Sequence, residues 1–305
     1  MKNIQADIKS GNFKQVYLLY GEEAYLKQQY KQNLVKALNP DGDTMNFNHY
    51  EGKGIDVKQL IDLCETMPFF AERRVVLLED TGFFKNKCEE LADYMKELPD
   101  YLYLVFAETE VDKRNRMYKA VKACGSIAEF IRQDEKTLMR WAAGILGKAG
   151  KKITQRDMEL LLTKTGTDMG NLRMEMEKLI SYTEGRDVVT AEDIEEICTT
   201  QTTNRIFDMV RAVTEKNQKR ALELYYDLLT LKEPPMRILF LLAKQYRQLL
   251  LAKQFAAAGL AQTEIASKLG VPGFVVRNIT TCARAYTISE LEQAVKRFLW
   301  MRKNQ

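Results

Sequence analysis

The sequence MPFFAERRVVLLED, residues 67–80, contains two features around which the rest of the chain can be interpreted. The β-branched and leucine run at residues 75–78 is bounded by charge on both sides, which predicts a short buried strand of a parallel sheet. Pro68 disfavours helical backbone at Met67, so Phe69 and Phe70 are predicted to lie in a connection, where large apolar rings usually need a partner to cover them. The two rings are either part of the protein core or an exposed docking site.

Length and composition indicate a folded protein of more than one domain. The chain has 305 residues, more than one hydrophobic core usually supports, with 29% charged and 46% apolar residues. Its five cysteines lie far apart without zinc-chelating spacing, and His49 is the single histidine. We therefore predict a reduced, cytoplasmic protein without a transition-metal site.

Membrane association is not expected. Residues 1–15 lack the apolar segment of a signal peptide. The most apolar helical segment, residues 236–251, is interrupted by Arg237, Lys244 and Arg247, which makes a membrane span costly.

The charge is unevenly distributed along the chain. The overall net charge is +4, but residues 204–305 carry 17 Lys and Arg against 8 Asp and Glu. A basic C-terminal third suits phosphate backbones or an acidic partner, although many basic surfaces are only solvated.

Strand and helix signals alternate through the first 133 residues. Strands are predicted at residues 15–21, 45–50, 75–78, 101–107 and 126–130, and helices at 22–38, at 57–65, within 86–96 and near 114–123. This alternation predicts an α/β fold with a doubly wound parallel sheet.

The turn after the first predicted strand lacks the residues of a phosphate loop. It reads Gly21-Glu22-Glu23-Ala24-Tyr25, with one glycine, no Lys-Ser/Thr pair and two acids that would repel an anion at a helix N-terminus. The acidic pair Glu79-Asp80 resembles the strand end that holds magnesium in NTPases, but without a phosphate loop we interpret it as a solvated strand end. An NTPase with a cryptic site is the enzyme alternative.

From residue 134 onward the signals are helical. Asp134, Thr154 and Thr190 are predicted N-caps in a small helical domain at residues 134–203, and longer helices fill residues 204–305. No pairing of a nucleophile with a base is recognisable, so we expect no catalytic residues.

Residues 262–277 imitate a DNA-reading helix-turn-helix. The second helix offers apolar side chains that suit a core better than base edges, which favours a packing role. A DNA-binding regulator is the alternative from another class of function. The apolar residues are Phe274, Val275, Val276 and Ile279.

Four segments, in this order, carry a resemblance to a known family: VYLLYGEE at residues 16–23, MPFFAERRVV at 67–76, RQLLL at 247–251 and IASKLGV at 265–271. The chain resembles the delta subunit of bacterial DNA polymerase III, the clamp-opening member of the clamp loader. The resemblance covers nearly the whole chain.

The resemblance implies a fold and a site. It implies an AAA+-like domain at residues 1–133 that has lost ATP binding and needs no cofactor, a helical lid at 134–203 and an all-helical collar at 204–305. Met67, Pro68, Phe69 and Phe70 are then the clamp-binding residues.

The resemblance also implies partners. These are the beta sliding clamp, the gamma/tau and delta-prime subunits, and primer-template DNA. The expected protein has no catalysis of its own, although it belongs to a holoenzyme with DNA-directed DNA polymerase activity. The family usually continues through a further collar helix, so we expect residues 303–305 to mark a shortened or divergent ending.

Overall fold

The computed structural model describes residues 2–199, 202–215, 217–271 and 273–303. The chain divides into two compact units, Met1–Gln133 and Asp134–Gln305. The predicted three-domain division stays a prediction. So does the ending of the chain, because Asn304 and Gln305 lie outside the described residues.

Unit 1 alternates helices and strands. In chain order they are α1 Lys2–Ser10, β1 Val16–Tyr20, α2 Ala24–Leu38, β2 Phe47–Glu51, α3 Val57–Glu65, β3 Arg74–Glu79, α4 Glu89–Tyr94, β4 Leu102–Glu108, α5 Arg116–Cys124 and β5 Ser126–Glu129. The strands form one parallel sheet in the order β2-β3-β4-β1-β5, with Leu18 opposite both Phe106 and Ile127.

The sheet is buried on both faces. Val76 and Leu78 of β3 belong to one apolar cluster with α3, α4 and α5, whereas Val75 and Leu77 belong to a second cluster with α1 and α2. Consecutive strand residues point to opposite faces, so a fully buried strand reads as a continuous apolar run. The predicted doubly wound α/β fold is confirmed.

Helix α1 was not predicted from the sequence. Ile4 is fully buried in the second cluster, and Ile8, one turn later, packs against the same cluster. Two apolar residues in a polar segment form too weak a stripe to stand out, and the sheet supplies the surface that they cover.

Unit 2 is largely helical. Its elements are α6 Glu135–Lys148, β6 Lys152–Ile153, α7 Gln155–Thr165, α8 Met169–Tyr182, β7 Val188–Val189, α9 Ala191–Ile197, α10 Thr202–Thr214, α11 Gln218–Thr230, α12 Pro235–Ala257, α13 Gln262–Leu269, α14 Gly273–Ala283 and α15 Ile288–Lys303. The predicted caps are confirmed: Asp134, Thr154 and Thr190 each accept a backbone hydrogen bond at the start of a helix.

One strand pair in unit 2 was not predicted. β6 and β7 pair in parallel through two residues each. A two-residue strand is too short to show an alternating hydrophobic pattern, so neither strand can be recognised from the sequence. Within the described ranges, no helix combines the length and the apolar character that crossing a bilayer requires.

Candidate functional site

The aromatic loop, defined as Met67, Pro68, Phe69 and Phe70, connects α3 to β3 at the amino edge of the sheet. Its apolar side chains are exposed: Met67 is 75% exposed, Phe69 57% and Phe70 94%. Neither ring lies in the core of unit 1, so the core alternative is wrong for this pair. The docking role of the loop stays a prediction.

The two rings form one surface. Their centroids are 4.5 Å apart with an interplanar angle of 78°, an edge-to-face contact that aromatic pairs favour. Phe70 has φ of +49°, a left-handed conformation that costs an L-residue about 1–2 kcal/mol. An unfavourable backbone conformation persists only where the surrounding structure enforces it, and functional sites are where such residues concentrate.

Two buried polar side chains form hydrogen bonds with the backbone of the loop. Asn46, which directly precedes β2, accepts a hydrogen bond from Phe69 N at 2.6 Å and donates one to Phe69 O at 2.8 Å. Arg74 donates from Nε to Thr66 O at 2.8 Å and from Nη2 to Met67 O at 3.3 Å. The loop is therefore exposed in its side chains and anchored in its backbone.

Sequence reasoning missed Asn46 as an anchor of the aromatic loop. Asn46 lies 23 residues before Phe69, and only the parallel pairing of β2 with β3 brings the two together. No local sequence signal identifies such a contact. From the sequence alone, Arg74 is recognisable only as a charged residue before the predicted strand, and its hydrogen bonds to the loop are not.

The opposite, carboxyl edge of the sheet carries the turn where a nucleotide would bind in an active ATPase. Gly21 has φ of +125°, and a Cβ at this position would lie 2.3 Å from Phe130 O. Glu23 N donates to the same carbonyl at 3.0 Å, and the Glu23 side chain is buried. The turn thus packs on the end of β5 and presents an acid where a phosphate loop presents amides and a lysine.

Of the two acids at the end of β3, Asp80 is exposed as predicted, whereas the Glu79 side chain is only 19% exposed, so the prediction of a solvated strand end is wrong for Glu79. Glu79 pairs with Lys31 Nζ at 2.6 Å and with His49 Nε2 at 2.9 Å, both side chains coming from packed elements. Asp80 accepts hydrogen bonds from Thr109 N and Oγ1 at 2.9 and 2.8 Å. A carboxylate that is largely removed from water needs partners, and α2 supplies Glu79 with a buried lysine.

Glu108, at the end of β4, is engaged in the same way. Its Oε1 accepts hydrogen bonds from Thr81 N at 3.1 Å and Thr81 Oγ1 at 2.6 Å. Burial raises the pKa of the Glu108 carboxyl. Among the residues that the structure describes, no cluster of three or more His, Cys, Asp or Glu side chains could hold a metal ion.

Residues 262–277, which resemble a helix-turn-helix, have the predicted packing role as far as their side chains can be described. Val276 and Ile279 are fully buried in an apolar cluster with α10 and α12. The exposed Arg277 of α14 lies 3.9 Å from Glu135 and 3.8 Å from Glu159, so acids of the same unit balance its charge. The side chain of Phe274 lies outside the described residues.

Comparison with known proteins identifies the family. Residues 17–130 match the family model described as DNA polymerase III, delta subunit, and residues 203–302 match the model described as DNA polymerase III delta subunit, C-terminal domain. The chain belongs to the DNA polymerase III delta-subunit family.

Individual relatives of the delta subunit agree. The chain is 26% identical to the DNA polymerase III subunit delta of Bacillus subtilis (strain 168) over 98% of its own length and 90% of the relative. It is 22% identical to the probable DNA polymerase III subunit delta of Aquifex aeolicus (strain VF5) over 84% of this chain and 75% of that protein.

A solved structure agrees in fold. The Bacillus subtilis DNA clamp loader delta protein superposes with a TM-score of 0.66 at 24% identity, covering 99% of this chain and 93% of that one. The predicted family is confirmed, and with it the description of the chain as an accessory subunit of DNA polymerase III. The family is therefore not that of a DNA-binding regulator, and the absence of nucleotide binding stays a prediction.

Proposed function

We propose that this delta-family chain works in a clamp loader and binds and opens the beta sliding clamp for loading onto primed DNA. Met67, Pro68, Phe69 and Phe70 are the contact residues in this proposal. The observation that supports it is a pair of exposed, mutually packed aromatic rings on a loop whose backbone is fixed by buried polar groups.

The exposed rings can supply useful binding free energy. Fully burying one phenylalanine contributes about 1.5–3 kcal/mol before the costs of association. Phe70 is almost wholly exposed and can deliver most of that range, whereas Phe69 is already partly covered and can deliver less. Clustered aromatic anchors in a partner's pocket are the usual hot spots of protein interfaces.

Opening the ring requires a preference for one of its states. A ligand shifts a conformational equilibrium only by the difference in its affinities for the two states, so the docked chain must fit the open clamp better than the closed one. The anchored backbone of the aromatic loop suits this role, because a rigid contact can favour one clamp geometry over another.

ATP acts elsewhere in this proposal. The aromatic loop precedes β3, and the turn at residues 21–25 follows β1, so the two lie at opposite edges of the parallel sheet. The six residues of β3 correspond to a separation of about 20 Å between these edges. The acids at the carboxyl edge already have protein partners. Energy from ATP would reach the clamp through gamma/tau subunits that expose or cover the aromatic loop.

The remaining partners are proposed from unit 2. Large apolar side chains are exposed on α11, α12 and α15, including Tyr226, Phe240 and Trp300, which suits a collar with gamma/tau and delta-prime subunits. The basic excess of residues 204–305 suits primer-template DNA. The cytoplasmic location stays a prediction.

The test replaces both rings and measures binding to the sliding clamp of the same organism. The double variant Phe69→Ala, Phe70→Ala should bind at least a hundredfold more weakly, since about 3 kcal/mol of burial is removed. Met174→Ala is the matched control, because Met174 is 58% exposed, close to the 57% of Phe69, but lies on α8. A double variant that binds and opens the clamp as the unmodified protein does would exclude this function.

A further inference from the structure

Asn46 contacts the aromatic loop in an unusual way. Its carboxamide bonds both backbone polar groups of a single residue, Phe69, at 2.6 and 2.8 Å. This is the pairing that the opposite residue of an antiparallel strand would provide. One side chain therefore fixes the peptide groups on both sides of the Phe69 Cα and, through them, the direction of the ring.

Asn46 is itself fixed by the sheet. Its backbone carbonyl accepts a hydrogen bond from Val75 N at 2.9 Å, at the start of the β2–β3 pairing, and only 3% of the residue is exposed. The anchor thus belongs to the rigid part of unit 1 and not to the loop that it holds.

Asp43 sets the orientation of the Asn46 carboxamide. Asn46 Nδ2 donates to Asp43 Oδ2 as well as to Phe69 O, so both acceptors lie on the amide nitrogen side and the carbonyl oxygen faces Phe69 N. The hydrogen bond from Asn46 also lowers the pKa of the Asp43 carboxyl.

The same device is repeated one step further back. Asn39, at the C-terminus of α2, donates from Nδ2 to Asp43 O and accepts from Asp43 N, both at 2.9 Å. A continuous series of hydrogen bonds therefore runs from the end of α2 through Asp43 and Asn46 to the backbone of the aromatic loop.

We infer that Asn46 is a positioning residue for clamp binding: it holds Phe69 and Phe70 in the conformation that docks, without touching the clamp itself. The inference rests on the proposed function of the aromatic loop. Without Asn46 the loop samples other conformations, and the apparent affinity falls by the fraction of time that the docking conformation is occupied.

The kinetics of clamp binding test this role. Asn46→Ala should lower the association rate on the order of tenfold, because two hydrogen bonds that select the docking conformation are lost, and should change the dissociation rate by less than about twofold. Phe70→Ala, which removes a contact, should mainly raise the dissociation rate. Asn33→Ala, on the exposed face of α2, is the matched control and should change neither rate.

Hydrogen exchange in the free protein provides the second readout. The Phe69 amide should exchange faster in Asn46→Ala, while the amides of β1 and β4 keep their protection. If Asn46→Ala does not fold, Asn46→Asp keeps the size of the side chain but loses both donors and faces Asp43, so it should slow association in the same way.

The outcomes separate the two proposals. Weaker binding by Phe70→Ala with unchanged rates for Asn46→Ala overturns the positioning role and leaves the proposed function standing. A raised dissociation rate with unchanged association for Asn46→Ala also overturns it, because Asn46 would then act as a contact. If neither variant changes binding, the proposed function fails and this inference fails with it.

Discussion

Phe70 combines an almost fully exposed ring with a backbone conformation that favours glycine. The ring contributes little to the folded state, because it covers little apolar surface, and the positive φ opposes folding. The residue is poorly suited to stability and well suited to an interface, which is the combination expected where a side chain is retained for binding.

Replacing Phe70 should therefore leave stability nearly unchanged. Phe70→Ala should alter the free energy of unfolding by no more than about 0.5 kcal/mol, as for other exposed positions. Phe70→Gly should be at least as stable as Phe70→Ala, since glycine adopts a φ of +49° without strain. Urea unfolding measures both. A glycine variant clearly less stable than the alanine variant would show that the backbone at Phe70 is not strained.

Glu108 gives a pH-dependent prediction. Its pKa is raised by burial, so in the window above its unfolded value of about 4.3 the folded state binds more protons than the unfolded state. This contribution to stability is present below that value and is lost as the pH rises through the folded pKa. Glu108→Gln lacks this titration, so its free energy of unfolding relative to the unmodified protein should rise with pH.

Glu110 provides a control of opposite sign. A hydrogen bond from Lys85 lowers the pKa of the exposed Glu110 carboxyl, so its contribution is present above the unfolded pKa and lost as the pH falls through the folded pKa. Relative stability of Glu110→Gln should therefore fall as the pH rises from about 3 to 5. Urea unfolding from pH 3 to 7 measures both variants, and equal slopes for the two would contradict the assignment.

Among the secondary-structure elements, the turn between β1 and α2 lacks the residues and the open backbone that a phosphate loop needs. The turn keeps the strand–turn–helix geometry, but its glycine serves to pack against Phe130. The helix that follows directs Lys27 Nζ to Glu108 O at 2.9 Å and Lys31 to Glu79. Two lysines of α2 thus contact oxygen acceptors at the carboxyl ends of β3 and β4.

This packing predicts a strong effect at Gly21. Gly21→Ala should destabilise the protein by about 3 kcal/mol or more, because the new Cβ overlaps Phe130 O and the positive φ is strained. Gly42→Ala is the control: Gly42 also has a positive φ, +68°, but no atom lies within 4 Å of the added Cβ, so a cost of about 1 kcal/mol is expected. Similar losses at the two sites in urea unfolding would rule out the close approach.

At the scale of the whole molecule, we expect the chain not to bind ATP. A nucleotide present at a hundred times its dissociation constant stabilises a protein by about 2.7 kcal/mol, which raises the melting temperature by several degrees. With the nucleotide turn closed and the acids paired, we expect Mg-ATP to change the melting temperature by less than about 1 °C relative to magnesium alone. A saturable, magnesium-dependent increase in the melting temperature would contradict this expectation and support an NTPase with a cryptic site.

Much of the fold was readable in the chain because its signals are local. The apolar run at residues 75–78 and the caps Asp134, Thr154 and Thr190 each act within a few residues, where hydrophobic pattern and capping chemistry operate. The four residues of the aromatic loop could be named from their sequence and from the family resemblance, and two family models then identified the family.

Contacts between distant segments were decided only by folding. Whether Phe69 and Phe70 faced the core or the solvent depended on how α3 joins β3, and Asn46 met Phe69 only because β2 pairs with β3. The partners of Glu79 came from α2 and β2 for the same reason. Burial and hydrogen bonding across a sheet depend on which strands become neighbours, and no single segment of the chain encodes that arrangement.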